Sequence, residues 1–336
     1  PDFVTPWRVR EAAIHSLEQG RTTYTSNYGL LELRDAIAQQ IAGRYGVSYC
    51  HRSEVLVTVG VSEGLDAAFR AILNPGDEVL VPEPCYVSYA PCVLFAGGIP
   101  VPVPTHAVDG FKVRAENLST YITPKTKAIL LSYPTNPTGA VMGRQELQDV
   151  VDVACANDLY ILSDEIYDRL SYDAPHVCVP SLAGAKERTI LLNGFSKAYA
   201  MTGWRVGYVC APAPIVEAMM KIHQYTMLCA PITSQIAALE AIRNGERDVA
   251  DMVEDYDRRR RMFVAGLNRV GVPCELPGGA FYAFPNVEHT GLDASTFAER
   301  LLQEERVLVV PGDVFGPGGT GHVRCCGQSA QAAGFS

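Results

Sequence analysis

Positive charge is scarce in this sequence. Its 336 residues hold 28 Lys and Arg against 37 Asp and Glu, a formal charge of −9. That balance lacks the basic face that general nucleic-acid binding needs, so nucleic acid is not an expected partner. Metal patterns are missing too. Ten cysteines lie at 50, 85, 92, 155, 178, 210, 229, 274, 325 and 326 with no C-x-x-C pair, and no H-E-x-x-H occurs, so no metal site is expected. There is neither a Walker loop nor a G-x-G-x-x-G fingerprint, which removes the simplest nucleotide-binding readings. The one long uncharged stretch, residues 84–108, contains five prolines and Gly97-Gly98. Those are too many helix breakers for a membrane span. The opening residues do not read as a secretory leader, so the scattered cysteines are expected as reduced thiols in a cytoplasmic protein.

What is present suits a packed globular chain: 48% hydrophobic and 19% charged residues. At about 150 residues per domain, the length corresponds to roughly two domains. Short apolar runs at 55–58, 78–81, 99–103, 128–132, 160–163, 189–193 and 206–210 read as strands. They do not alternate cleanly, as expected for strands covered on both faces. Helical stretches at 62–73, 87–95, 144–156 and 214–225 separate them, and this alternation predicts a mainly parallel α/β sheet. Beyond Tyr225 two long helices are expected at 232–244 and 246–270, then shorter pieces at 280–284, 295–303 and 307–310. The predicted architecture is a large α/β domain, a bridging helix and a smaller α+β domain. The four arginines at 258–261 read as a solvated helix face.

Four segments carry chemistry. In Asn193-Gly-Phe-Ser-Lys197-Ala-Tyr-Ala-Met-Thr-Gly-Trp-Arg205-Val-Gly207, a lysine sits among aromatic and apolar residues with an arginine eight positions on. Most lysines are solvated surface charges. Desolvation beside another cation instead favours the nucleophilic amine, which attacks aldehydes. In Leu162-Ser-Asp164-Glu-Ile-Tyr167, Asp164 ends a buried strand. It could be only a helix cap, yet strand carboxyl ends are where open α/β sheets bind ligands. There Asp164 could keep a ring nitrogen protonated and Tyr167 could donate to a ring oxygen. Ser132-Tyr-Pro-Thr-Asn136-Pro137-Thr-Gly139 reads as a turn, with Pro137 keeping Asn136 out of the helical region. Thr58-Val-Gly60-Val61-Ser62-Glu63-Gly64 is a strand–glycine–helix junction, which offers backbone N–H groups and a hydroxyl to a phosphate, although Ser62 would be an ordinary cap in any protein.

Together these segments resemble the class I/II aminotransferases, pyridoxal-phosphate enzymes of fold type I, from Pro1 to about Arg324. The resemblance implies a pyridoxal 5'-phosphate cofactor and assigns roles by position. Lys197 is similar to the lysine that binds the cofactor covalently, with Ser196 beside it. Asp164 resembles the partner of the pyridine nitrogen, and Tyr167 and Asn136 the donors to the phenolic oxygen. Tyr86, in Pro82-Glu-Pro-Cys-Tyr86, is similar to the aromatic that stacks on the ring. Val61, Ser62 and Arg205 resemble the phosphate cradle, and Arg324 the arginine that forks the substrate α-carboxylate. Tyr28 resembles the tyrosine that reaches the phosphate of the neighbouring subunit, so a homodimer is implied. The implied domains are residues 16–250 as the cofactor domain and 251–336 as the small domain, with 1–15 as an N-terminal small-domain piece.

The implied reaction moves an amino group from an L-amino acid of aspartate, aromatic or alanine type to a 2-oxo acid such as 2-oxoglutarate. A C–S lyase or decarboxylase of the same fold is the nearest competitor, and a non-catalytic cofactor-binding regulator is the competitor of another class. The sequence departs from the family in four ways. It opens at Pro1-Asp-Phe, in the middle of a family motif. Residues 325–336 read as a truncation or shifted frame, from which no closing helix is expected. Gly194 stands where many members have a phosphate-binding serine. No arginine for a second substrate carboxylate is identifiable by motif.

Overall fold

The computed structural model describes residues 3–327. Its large sheet contains β1 (Val55–Thr58), β2 (Glu78–Glu83), β3 (Ile99–Pro104), β4 (Thr126–Leu131), β5 (Tyr160–Asp164), β6 (Thr189–Gly194) and β7 (Gly207–Cys210). The order across the sheet is β1-β7-β6-β5-β4-β2-β3. Neighbours from β3 to β6 pair in parallel, whereas β7 runs antiparallel to both β6 and β1. The apolar runs are continuous because both faces are covered. Val55 and Val57 enter the core beneath one helical layer, while Leu56 enters the core on the opposite face.

The helices are α1 (Trp7–Glu18), α2 (Leu31–Tyr45), α3 (Gly60–Ile72), α4 (Tyr89–Phe95), α5 (Ala115–Leu118), α6 (Arg144–Ala156), α7 (Ala213–Thr226), α8 (Ile232–Asn244), α9 (Glu246–Arg269) and α10 (Ala294–Glu305). The sequence reading assigns nothing to α1 and α2. Neither has a capping side chain at its start, where Pro6 and Leu30 stand, so the usual start signal is missing. α1 packs on α8, and α3 packs on α7. No helix among the described residues is long and apolar enough to cross a membrane.

A second, antiparallel sheet is built from β8 (Tyr282–Ala283), β9 (Val310–Pro311) and β10 (Val323–Cys326) in the order β8-β10-β9. Its own core gathers Val264, Ala283, Val287, Ala298 and Val323, with Phe297 and Leu301 packed against it. The strand expected at 307–310 shrinks to Val310–Pro311, because only Val310 and Pro311 find partners on β10; Leu308 is left 74% exposed. Leu302 is 42% exposed. β10 carries the chain through Cys326, and residues 328–336 of the tail discussed above lie outside the described residues.

The arginine run also needs correction. Arg260 is buried, not solvated. Its guanidinium bonds both oxygens of Asp173, at 2.8 and 3.0 Å, and the Pro277 carbonyl, and lies 4.3 Å from the Tyr172 ring centroid. Those partners are 17 to 88 residues away in sequence, so the local pattern gave no sign of them.

Candidate active site

The carboxyl ends of β4, β5 and β6 and the start of α3 converge on one cavity of about 420 Å³. Val61, Ser62, Tyr86, Asn136, Asp164, Tyr167, Ser196, Lys197, Arg205 and Arg324 all line it. Residues scattered over more than 260 positions are thus brought together. Tyr28 does not line this cavity in its own chain; its ring lies 5.5 Å from the Arg34 guanidinium. The structure adds Leu65, Tyr89, Ile166, Thr202 and Tyr282 to the walls.

Asp164, the last residue of β5, is 5% exposed. One carboxylate oxygen accepts from the Tyr89 hydroxyl at 2.8 Å, the other from the Ile166 amide at 3.2 Å. Burial pushes its pKa up to about 6, against the opposing pull of those hydrogen bonds and of Lys197. It forms no ion pair among the described residues. The sequence reading gives Tyr89 no role. It stands three positions after Tyr86, at the start of α4, and the two rings meet edge to face at 5.6 Å. That spacing was the available signal.

Lys197 follows β6. Its amine lies 5.8 Å from the Tyr167 ring centroid and 5.7 Å from that of Phe281. Burial lowers its pKa first; Asp164 raises it, and Arg205 and Arg324 lower it further. The loop carrying it is anchored at Ala200 and Trp204, whose carbonyl and indole N–H both bond the Thr5 hydroxyl, at 2.6 and 3.0 Å.

At one end of the cavity Arg205 sits in the left-handed region (φ 50°) and donates to the Thr202 carbonyl at 3.0 Å. It lies over Gly60, where a Cβ would stand 2.7 Å from its Nη2. A Cβ on Gly194 would come within 2.9 Å of the Gly207 Cα, and one on Gly207 within 2.9 Å of the Gly60 carbonyl carbon. The end of β6 thus touches β7 backbone to backbone at Gly194, and β7 touches the start of α3 in the same way at Gly207. Gly207→Ala should therefore displace the first turn of α3 at a cost of about 1–3 kcal/mol. Thermal melts and cofactor titration check this; an unchanged melt with unchanged affinity would contradict it.

At the other end Arg324 donates to the Asn136 side-chain oxygen at 2.9 Å. Its guanidinium is held between the Tyr282 and Phe315 rings, 4.8 Å from each centroid. The Tyr167 and Tyr282 hydroxyls are hydrogen-bonded at 2.9 Å. The cavity thus has a cation and a helix N-terminus at one end, a forked cation at the other, and an acid and an amine between them.

The description "aminotransferase class I and II" matches residues 1–332 of this chain. The chain belongs to the class I and II aminotransferases. It is 43% identical to an aspartate aminotransferase of Pyrococcus abyssi, covering 96% of this chain and 84% of that protein. It is 42% identical to aromatic-amino-acid aminotransferase 2 of Thermococcus litoralis, with 96% and 84% covered. Among solved structures, the aromatic aminotransferase from Pyrococcus horikoshii superposes with a TM-score of 0.96 at 44% identity, over 98% of this chain and 89% of that one. This aminotransferase has the fold type I architecture and is a pyridoxal-phosphate-dependent transaminase acting on amino acids and 2-oxo acids. The residues present fit that cofactor. Asp164 is a buried acid that forms no ion pair among the described residues, suited to a protonated ring nitrogen. Ser62, Arg205 and the first turn of α3 suit its phosphate.

Proposed function

We propose that the amino-group transfer is carried out at Lys197 between two anion-binding ends, Arg205 with α3 for the cofactor phosphate and Arg324 for the substrate α-carboxylate. The observation that carries this reading is the buried, ion-pair-free Asp164 in the same cavity as a desolvated lysine. Bound there, the cofactor supplies a carbonyl carbon for the amino group and an electron-accepting ring. Asp164 keeps the ring nitrogen protonated. Tyr167 and the Asn136 amide N–H donate to the ring oxygen; the Asn136 carbonyl is already engaged by Arg324. Val61, Ser62 and Ser196 complete the phosphate end, and Tyr86 covers the ring. Arg324 grips the carboxylate with two parallel N–H bonds and so fixes the Cα–H direction. The Lys197 amine, freed when the substrate amine takes its place and biased by burial toward its neutral form, would take the Cα proton and pass it to the carbon that had been the cofactor's carbonyl.

Apart from Lys197, the cations lining the cavity among the described residues are Arg205 and Arg324, one at each end. Among the described residues no third cation lines this cavity, and this favours an uncharged donor such as an aromatic amino acid, with a 2-oxo acid such as 2-oxoglutarate as acceptor. Mixing purified holoenzyme with single amino acids and following the cofactor's visible absorption tests this. Aromatic donors should convert the band at lower concentrations than aspartate; the reverse order would overturn the donor assignment.

The division into residues 16–250 and 251–336 belongs to the same reading. So does a reducing, cytoplasmic setting, supported by ten free cysteines. The protein works as a homodimer in which Tyr28 serves the partner's phosphate, a reading supported by its absence from the cavity of its own chain. An isologous pair gives each site one tyrosine from across the interface. Two inactive variants, Lys197→Ala and Tyr28→Phe, should recover partial activity when their subunits are mixed, because a hybrid contains one intact site. A fully active monomer in sedimentation would refute it.

A further inference from the structure

Tyr282 has no role in the reading above, yet it touches more of the site than its place in the small sheet requires. It begins β8 and pairs directly with Cys326 on β10, which sets Arg324 diagonally beside it on the same face. There the Tyr282 ring lies 4.8 Å from the Arg324 guanidinium. Its hydroxyl meets that of Tyr167 at 2.9 Å. The segment leading to it is fastened to both large-domain loops that matter. The Gly279 amide donates to the Gly139 carbonyl at 2.9 Å, in the loop after Asn136, and the Ala280 amide to the Leu170 carbonyl at 2.8 Å, in the loop after Tyr167.

Either hydroxyl can donate to the other, and an acceptor placed beside Tyr167 would set the direction. Burial raises the pKa of both tyrosines, so each retains one proton at neutral pH. If Tyr167 gives its proton to the ring oxygen, it must accept from Tyr282. A donor that is itself an acceptor is polarised and donates more strongly. Tyr282 therefore reaches both halves of the site, the carboxylate arginine through its ring face and a ring-oxygen donor through its hydroxyl.

We propose that Tyr282 is a positioning residue whose hydroxyl orients and strengthens Tyr167 while its ring holds Arg324 in place for the substrate carboxylate. This rests on the roles given to Tyr167 and Arg324 above. A stronger donor at the ring oxygen favours negative charge there. That oxygen competes for the proton on the Lys197 nitrogen once the cofactor is attached, so a weaker donor lets the proton stay on to higher pH.

The test uses holoenzyme, with the visible absorption of the lysine-bound cofactor titrated against pH for the unmodified protein, Tyr282→Phe and Tyr282→Leu. Tyr282→Phe retains the ring and should leave KM within about twofold, while the spectral midpoint moves up by roughly half to one pH unit, the size one neutral hydrogen bond sets. Tyr282→Leu should show the same shift and in addition raise KM for amino acid and oxo acid by roughly tenfold, as one stacking face is lost. An unchanged midpoint in Tyr282→Phe overturns the proposal, even if its thermal midpoint falls, since that pattern means packing alone. Equal KM increases in the two variants also overturn it. If the unmodified protein shows no borohydride-trappable, pH-sensitive band at all, the assignment of the site fails, and the proposal fails with it.

Discussion

Lys197→Ala is expected to abolish the covalent, borohydride-trappable attachment of pyridoxal phosphate and to lower kcat by at least roughly 10⁴-fold, the upper range for loss of a positioned acid–base group. Two functions leave with one amine. The nucleophile that attaches the cofactor is removed, and so is the base beside the substrate Cα. Non-covalent binding should survive in part, because the other contacts are independent of the amine. Arg205, Ser62 and the first turn of α3 line the cavity together with Asp164. Peptide mapping after reduction decides the matter. An adduct on a different lysine, or substantial turnover by Lys197→Ala, would remove this residue from the mechanism.

Asp164→Asn separates charge from shape, and its effect should change sign with occupancy. In the ligand-free protein the carboxyl has a pKa of about 6 against an ordinary 3.8. A folded-state value above the unfolded one means that the acid is stabilising while protonated. That contribution is present below about pH 4 and is lost as the pH rises through 6. A shift of about two units corresponds to about 3 kcal/mol. Asparagine has no such penalty, so the ligand-free variant should melt at least as high as the unmodified protein at pH 8. With cofactor the order reverses, because the carboxylate gains the cationic partner that it lacks among the described residues. Turnover should fall by roughly 10²–10³-fold, as for other lost electrostatic contacts at reacting centres. Melting curves with and without cofactor at pH 5 and pH 8, together with kcat, test both halves. Equal turnover, or a lower ligand-free melting point at pH 8, would contradict the argument.

Much of this was legible in the sequence, for local reasons. The seven large-sheet strands are apolar runs that strands buried on both faces require, and each lies within two residues of where its pattern placed it. The convergence of the candidate residues on one cavity was legible because they fall in compact motifs at strand ends. What escaped notice depends on distant partners. Nothing near β7 shows that it runs against its neighbours, since a short buried run reads the same in either direction. Arg260 reads as one of four surface arginines until Asp173 and Tyr172 are folded against it. Tyr282 looks like a core aromatic in Ala280-Phe281-Tyr282 until its hydroxyl is seen to find that of Tyr167, 115 positions earlier.

The backbone joint of Gly60, Gly194 and Gly207 has a consequence for how this enzyme can change. At Gly194 and Gly207, where strand ends touch each other and the start of α3 without side chains between them, substitution has no intermediate steps: an added carbon meets backbone, and backbone cannot rotate aside as a side chain does. Around Arg324 at the opposite end the neighbours are rotatable rings, Tyr282 and Phe315, which can be exchanged one at a time. In a randomised library, variants with new substrate preferences should therefore accumulate around these rings. The phosphate end should return almost only the starting residues, so the cofactor stays fixed while the substrate range evolves.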